Sequence, residues 1–297
     1  MESNNLESTP LNISFLQLLS FVFIWLCCAL VGSLILTSFM QGSGLTSMEE
    51  ILEQIKTTQN GDFMNQLRYF QIVGHLSNYF LPGVLFIFWW HRKQPWKKMY
   101  LDQAPTWKNL LASFAAILVL FPFVSWIYYW NMELLPTDWI ALDKLELQMA
   151  FLNMRNSYEL FLNIFLLGVV AAVGEELVFR GIIQRIVERL VGNVHGGAFI
   201  TAALFSFIHF QWEGFVARFI LGLLFCYLLI YTRNLWVPIL MHFFFNSIQV
   251  IIPYFSPESI KQVGETTEVP IVIAIISILL FSIIWKLFIL NKNIIYK

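Results

Sequence analysis

Long apolar segments, each close to the length that crosses a lipid bilayer, recur along this chain of 297 residues. A membrane-spanning helix needs about 20 mostly apolar residues. Eight segments approach that length: residues 13–39, 69–90, 109–130, 158–178, 198–212, 215–232, 235–254 and 268–290. Hydrophobic residues make up 58% of the chain and charged residues only 12%, so its surface cannot be that of a soluble protein. The sequence predicts an all-α polytopic membrane bundle of about eight transmembrane helices.

The distribution of Lys and Arg predicts how these helices are oriented, because cytoplasmic loops of membrane proteins are enriched in both residues. If eight helices run in series, the basic positions fall on one side: Arg92, Lys93, Lys97, Lys98, Lys108, Arg180, Arg185, Arg189, Arg233, Lys292 and Lys297. Both termini are then cytoplasmic, and residues 131–157 form an amphipathic helix at the outer interface. The polar residues 1–12 lack the basic start of a signal peptide, so the first apolar segment is expected to stay as an anchor.

Several classes of ligand are disfavoured by the sequence. The net charge is −1, and no Gly-rich phosphate-binding motif interrupts the apolar segments, so neither nucleic acid nor nucleotide is expected as a partner. Cys27, Cys28 and Cys226 lie within apolar segments without metal-ligand spacing, which argues against a disulfide framework or a cysteine zinc site. Composition and the lack of eukaryotic sorting signals favour a multi-pass protein of a bacterial inner membrane.

Two adjacent carboxylates, Glu175 and Glu176, lie in the fourth apolar segment. A charged side chain at the centre of a membrane helix costs roughly 2.5–3.5 kcal/mol on insertion scales, so such residues usually mark function. On a helix, Glu176 and Arg180 share a face at spacing i, i+4, whereas Glu175 points about 100° away. One carboxylate can therefore pair with Arg180 while the other stays available.

Two further polar pairs interrupt the apolar segments at the same spacing. Phe205 and His209 lie one helical turn apart in the fifth segment, and His242 and Asn246 do so in the seventh. A carboxylate near an imidazole in a partly dry cavity can activate water as a general base, which suggests Glu175 with His209. Donors on a rigid helix, here His242 and Asn246, can stabilise the oxyanion that forms when water attacks a peptide carbonyl.

Structural interpretations of the same residues stay open. The acidic pair and Arg180 can be an interfacial charge cluster whose side chains reach water, and the histidines can be polar contacts between helices. His75, His91 and His195 are interpreted as surface or interface residues. Glu213 and Arg218, near a predicted turn at residues 211–214, either line an opening or anchor the helix.

Together the three motifs resemble those of a known family, the CAAX protease and bacteriocin-processing (CPBP, or Abi) intramembrane proteases, which includes the CAAX prenyl endopeptidases. The family pattern is EExxxR, FxxxH and HxxxN, and this chain has all three in order between residues 158 and 254. The resemblance implies a helical endopeptidase with Glu175, His209, His242 and Asn246 as catalytic residues. Glu176, Arg180 and Phe205 would support them.

The resemblance also implies the organisation of the chain. Residues 1–297 would form one membrane domain, with residues 158–254 as its catalytic core and residues 1–157 and 255–297 as accessory helices. Its partners would be the lipid bilayer and a peptide or protein substrate, cut near the cytoplasmic face. The substrate would be of the CAAX type or the bacteriocin-processing type.

Alternatives stay open both for the metal requirement and for the catalytic function. Glu175, His209 and His242 could hold zinc, but HExxH is absent and the family is also described as glutamate-type, so we favour a mechanism without a cofactor. Two other functions are considered: a non-catalytic bacteriocin-immunity or scaffold protein, and a carrier that uses the acidic pair and the histidines as a proton relay.

Overall fold

The computed structural model describes residues 11–42, 44, 47–57, 61–260 and 268–295, and no strand occurs among them. The predictions for residues 1–10 and for Lys297 fall outside these ranges. In chain order the helices are α1 (Leu11–Gly42), α2 (Met48–Thr57), α3 (Gly61–Trp90), α4 (Pro95–Lys98), α5 (Trp107–Leu134), α6 (Leu142–Leu152), α7 (Ser157–Val191), α8 (Val194–Phe207), α9 (Phe215–Thr232), α10 (Trp236–Phe255) and α11 (Ile271–Ile295).

Seven helices in the described ranges are long and apolar enough to span a membrane: α1, α3, α5, α7, α9 with the turn before it, α10 and α11. Helix α8 is apolar but has only 14 residues. At 1.5 Å per residue it rises about 21 Å, less than the roughly 30 Å of a bilayer's hydrocarbon core. The predicted polytopic helical bundle is confirmed, with the fifth predicted span shorter than a full crossing.

Helix α7 lies at the centre of the bundle. Within its most apolar window 67% of the residues are buried, compared with 11% in α1 and 17% in α11. The predicted segment ended at residue 178, where polar residues begin, but the helix continues to Val191. The acidic pair therefore lies near the middle of a buried helix, and α1 and α11 form the periphery.

Three stretches of π-helix interrupt α3 and α7: Leu76–Phe80, Ile164–Val170 and Leu177–Ile183. Such widened turns are rare and occur frequently at functional sites. Helix α3 begins at Gly61 rather than near residue 69, so His75 lies in the middle of the helix and immediately before a π turn. The π turn of α3 packs against the part of α7 that carries the acidic pair.

A serine of α11 bridges a gap in the backbone hydrogen bonds of α5. Pro122 cannot continue the ladder of helical hydrogen bonds. The Ser277 hydroxyl donates to the Val119 carbonyl at 2.5 Å and accepts from the Phe123 amide at 3.2 Å. Because lipid offers no replacement partner for these groups, the contact fixes α11 against α5.

The loops lie at the two ends of the bundle. At one end Arg185 donates to the Lys98 carbonyl, and the Leu235 amide donates to the Tyr100 carbonyl at 3.0 Å. Lys97, Lys98, Arg185 and Arg233 line one recess here, and we call this the basic end. At the opposite end Asn131, near the close of α5, donates to the Trp212 carbonyl at 2.9 Å. Which end faces the cytoplasm stays a prediction.

A buried ionic cluster joins the first half of α3 to the start of α7. Arg68 and Glu159 are 0% and 1% exposed, and their charged groups lie 3.6 Å apart. Arg68 also donates to the Asn163 amide oxygen at 2.8 Å, and Arg155 pairs with the other oxygen of Glu159. This cluster holds α3 beside α7 on the side where the acidic pair lies.

We expect Glu159→Gln to destabilise the fold, because it leaves the Arg68 charge buried without a carboxylate. Removing one partner of a buried ion pair typically costs about 3–5 kcal/mol. Unfolding of the detergent-purified protein measures the effect. The control is Glu146→Gln, which breaks a pair with Lys56 whose side chains are 41% and 64% exposed and should cost less than about 1 kcal/mol. Equal effects would contradict a structural role for the cluster.

Candidate active site

Glu176 is the buried centre of an ionic cluster that links α7 to α10. Its Oε1 atom accepts from Arg180 Nη1 at 2.7 Å and lies 2.8 Å from His242 Nδ1. Glu176 and Arg180 are both 0% exposed, and His242 is 5% exposed. A carboxylate oxygen accepts, so Nδ1 of His242 carries a proton and the Nε2 atom faces away from Glu176.

Arg180 is held by more than its carboxylate. It donates to the Gly222 carbonyl of α9 at 3.0 Å. Its guanidinium lies 4.4 Å from the ring centre of Phe205 and 5.3 Å from that of Phe225. Arg180 therefore joins α7, α8 and α9 through a carbonyl hydrogen bond and a cation–π contact with Phe205, whose supporting role stays a prediction.

Glu175 has different surroundings from its neighbour. It is 4% exposed, and it makes no side-chain hydrogen bond to any residue in the described part of the chain. Its Oε2 atom lies 4.0 Å from His242 Nε2, and its Oε1 atom lies 3.9 Å from His75 Nδ1. Glu175 is thus a buried carboxylate between two imidazoles, with both oxygens available.

His209 is half-buried in the turn that follows α8. Its Nδ1 atom lies 2.8 Å from the Phe205 carbonyl, and its ring packs edge-on against the Phe205 ring. A carbonyl can only accept, so Nδ1 carries the proton and Nε2 of the neutral ring is an acceptor. Phe205 also packs edge-on against His242, at 6.1 Å between ring centres, and so lies between the two imidazoles.

Asn246 lies one turn beyond His242 on α10. One of its amide N–H groups donates to the Leu167 carbonyl at 2.8 Å, within a π-helical stretch of α7. An amide nitrogen has two N–H groups, so this bond fixes the side chain and leaves the second group as a donor. The structure thus brings Glu175, Glu176, Arg180 and His242 into direct proximity, with His209 and Asn246 beside them.

Sequence analysis missed His75, which belongs to no motif. Its side chain is 24% exposed and approaches Glu175 from α3, and its Nδ1 atom has no hydrogen-bond partner among the described residues. Tyr79 packs beside it, with 5.5 Å between ring centres. A Cβ atom at Gly174 would meet the Cβ of Tyr79 at 3.0 Å, so glycine lets α3 come this close. The one available signal was a histidine within an otherwise apolar segment.

Lys144 of α6 is a second residue that the motifs do not indicate. Its ammonium donates to the His209 carbonyl at 2.8 Å and to the Phe210 carbonyl at 3.4 Å. Burial lowers the pKa of Lys144, and the nearby Glu213 carboxylate opposes this effect. Phe210 has φ 49°, a left-handed conformation that is unusual for a bulky residue. Lys144 therefore holds the turn that positions His209.

Comparison with known proteins agrees with this geometry. Residues 157–248 match the family model described as Type II CAAX prenyl endopeptidase Rce1-like. The matched residues begin with α7 and end within α10, and they contain all three motifs. Over this segment the chain resembles the CAAX prenyl endopeptidases. The resemblance predicted from the motifs is confirmed.

One curated relative is also similar. The membrane-embedded CAAX protease MroQ of Staphylococcus aureus (strain USA300) is 28% identical over 112 residues, which is 34% of this chain and 43% of MroQ. The chain therefore spans less than half the length of this CAAX protease. No solved structure matches the chain. The apolar helices and this membrane-embedded relative support a multi-pass membrane protein.

The CAAX endopeptidase-like segment does not show a ready-made metal site. Among the described residues, no three His, Cys, Asp or Glu side chains are arranged to hold a metal ion. The three residues named as possible ligands are Glu175, His209 and His242, and Nδ1 of each histidine is already committed to a carboxylate or a carbonyl. We therefore derive no step through a metal, and a mechanism without a cofactor stays a prediction.

The two adjacent glutamates of this CAAX endopeptidase-like site should differ in their contribution to stability. Glu176→Gln removes the charge that pairs with Arg180 and His242, and we expect it to lower the free energy of unfolding by about 3–5 kcal/mol. Glu175→Gln removes no hydrogen bond and should change it by less than about 1 kcal/mol. Reversible unfolding in mixed micelles measures both. Equal losses would contradict the division between a structural and an available carboxylate.

Proposed function

We propose that this protein is an intramembrane endopeptidase that hydrolyses a peptide bond with a water molecule activated at Glu175. The observation that carries the proposal is the contrast within the acidic pair. Glu176 is committed to Arg180 and His242, whereas Glu175 is buried next to two imidazoles without a hydrogen bond to any described residue. A structural charge cluster gains nothing from a second, unpaired carboxylate in its interior.

The comparisons support this chemistry. The matching family is named for an endopeptidase, and MroQ is described as a membrane-embedded CAAX protease. We propose the same reaction class for this chain, with a peptide or protein substrate that reaches the site within the membrane. The two substrate types, CAAX and bacteriocin-processing, both stay predictions. We propose a glutamate-type mechanism without a resident metal.

The first step is attack of water on the peptide carbonyl. Glu175 takes one proton from the water as its oxygen bonds to the carbonyl carbon. His209 assists because its Nε2 atom is an acceptor that can hold the second hydrogen of the water in place. The Phe205 carbonyl keeps the ring in that tautomer. The carbonyl oxygen becomes an oxyanion as the tetrahedral intermediate forms.

His242 and Asn246 then stabilise the oxyanion. In this role both ring nitrogens of His242 carry a proton, because Nδ1 already donates to Glu176 and the oxyanion needs a donor at Nε2. A doubly protonated His242 keeps its bond to Glu176 and donates from Nε2, while Asn246 donates its second amide N–H. Preorganised donors of this kind are worth about 10²–10³ in rate each. Glu175 finally transfers its proton to the leaving amine, and the C–N bond breaks.

His75 completes the surroundings of the general base. Its Nδ1 atom faces Glu175 Oε1 at 3.9 Å without a hydrogen-bond partner among the described residues. We propose that it orients the carboxylate when the substrate displaces solvent from the site. Because His75 belongs to α3, this assigns an accessory helix to the active site together with the core formed by residues 158–254.

The site lies in the interior of the bundle. Glu175 lies near the middle of α7, and His242, 4.0 Å away, lies within the second turn of α10. His209 lies on the turn after α8, which Lys144 holds. Cleavage near the cytoplasmic face stays a prediction, since it depends on the orientation of the basic end.

The proposal predicts that Glu175→Gln and His209→Ala each abolish peptide hydrolysis without unfolding the protein. Loss of a general base typically lowers the rate about 10²–10⁴-fold. The measurement is cleavage of a quenched fluorescent peptide library by detergent-purified protein, with and without a chelator. Matched controls are Glu146→Gln and His195→Ala, which change the same residue types at exposed positions outside the site.

Each outcome of this experiment has a defined meaning. The metal-free protease is supported if both site variants lose cleavage, the controls retain it and the chelator does not change the activity of wild type. If the chelator abolishes cleavage by wild type and zinc restores it, the metal-free mechanism is contradicted but the protease function is not. Full activity of Glu175→Gln would overturn the proposal.

A further inference from the structure

A cavity of about 480 Å³ opens beside the turn that carries His209. It lies between the second half of α5, α6, the turn before α9, the start of α9 and the second half of α10. Its apolar wall includes Phe121, Val124, Leu221 and Phe245. Its polar wall is formed mainly by Glu213 and Arg218, with glutamines at its edge. The cavity faces the end of the bundle opposite to the basic end.

The two charged residues of this cavity have unused hydrogen-bonding groups. Glu213 is 2% exposed, and its Oε2 atom has no partner among the described residues. The same holds for the buried Nε atom of Arg218, whose Nη2 atom donates to the Gln211 carbonyl. A Cβ atom at Gly214 would meet Arg218 Nη1 at 2.4 Å, so the guanidinium packs directly over this glycine. Buried polar groups without partners are rare in native proteins and need an explanation.

The cavity is adjacent to the active site. Its polar wall, residues 211–214, continues the chain directly from His209, and Phe245 precedes Asn246. Arg218 is also close enough for its charge to interact with that of Glu175. The cavity and the proposed active site therefore share two structural elements, the turn after α8 and helix α10.

We propose that the cavity binds the part of the substrate peptide next to the cleaved bond. This inference rests on the proposed protease function and adds to it the class of substrate residue. A peptide backbone offers one acceptor and one donor, which match the Nε–H of Arg218 and the Oε2 of Glu213. A medium-sized or large apolar side chain fills the space between Phe121, Leu221 and Phe245.

The charges of the wall distinguish a peptide unit from other occupants. A free carboxylate would gain from Arg218 but would be opposed by the buried Glu213. A lipid tail would satisfy neither group. A neutral peptide unit satisfies both, because its carbonyl oxygen and its amide hydrogen each have a partner of the right kind. The cavity therefore favours an internal apolar residue over a chain terminus.

The first test fills the cavity with a larger side chain and measures the preference for the substrate residue beside the cleaved bond. Leu221→Trp places a larger side chain in the space, and Val216→Trp, at an exposed position of the same helix, is the matched control. The assay is cleavage of quenched peptides that differ at one position beside the cleaved bond. For peptides with Leu or Phe at this varied position, we expect Leu221→Trp to lower kcat/KM at least about tenfold. For peptides with Gly or Ala there, kcat/KM should change less than about threefold.

A second measurement addresses the polar wall. Methylating the backbone nitrogen of the same substrate residue removes the N–H that would donate to Glu213. We expect the methylated peptide to have a KM at least about fivefold higher with wild type, and to show no such difference with Glu213→Leu, whose side chain has no acceptor. An unchanged preference in Leu221→Trp, together with equal KM values for the methylated and unmethylated peptides, would overturn the inference while leaving the protease intact.

A third measurement does not depend on cleavage. The probe is an acetylated and amidated Leu-benzoylphenylalanine-Leu tripeptide, photolysed with the full-length protein in detergent and mapped by mass spectrometry. We expect labelling within residues 121–128 or 211–221 that Leu221→Trp abolishes and Val216→Trp retains. If wild type labels in this way but cuts no peptide, the protease proposal fails and the binding site stands. If a hydrocarbon photoprobe labels the same residues and the tripeptide does not compete, the cavity holds lipid and the inference is overturned.

Discussion

The ionic contact between Arg180 and Glu176 is the interaction on which the site depends. Both residues are fully buried, so each needs the other, and the remaining groups of Arg180 join α8 and α9 to α7. The same Glu176 oxygen fixes Nδ1 of His242, which turns Nε2 toward Glu175. One buried pair therefore links four helices and orients the His242 imidazole. The neighbouring Glu175 makes no hydrogen bond to a described residue, and it is the carboxylate that we propose exchanges a proton.

Much of this arrangement could be predicted from the sequence. The helical period alone separates Glu175 from Glu176 and pairs Glu176 with Arg180, and the structure has that pair at 2.7 Å. Hydropathy located the apolar helices because membrane spans need long, nearly uncharged segments. It placed their ends less well, since the buried second half of α7 contains polar residues that hydropathy treats as a loop. The fifth predicted span was the shortest, and α8 has only 14 residues.

Contacts between distant segments could not be predicted. His75 lies about a hundred residues before the acidic pair, immediately before a π turn of α3 that packs closely against Gly174. Lys144 binds the turn of His209 from α6, whose sequence resembles that of any amphipathic segment. The same is true of the cavity beside Glu213 and Arg218, whose walls come from five parts of the chain. Helices expected to be accessory therefore contribute to the surroundings of Glu175 and to the proposed binding site.

Chemical rescue is the most direct test of the claim that Glu175, and not Glu176, acts on the water. Glu175→Gly and Glu176→Gly leave comparable gaps at adjacent positions, and formate can replace a missing carboxylate where the role is proton transfer rather than structure. The account predicts that formate restores peptide cleavage to Glu175→Gly in a concentration-dependent manner and does not restore it to Glu176→Gly. Restoration of Glu176→Gly alone would contradict the account and would make Glu176 the base.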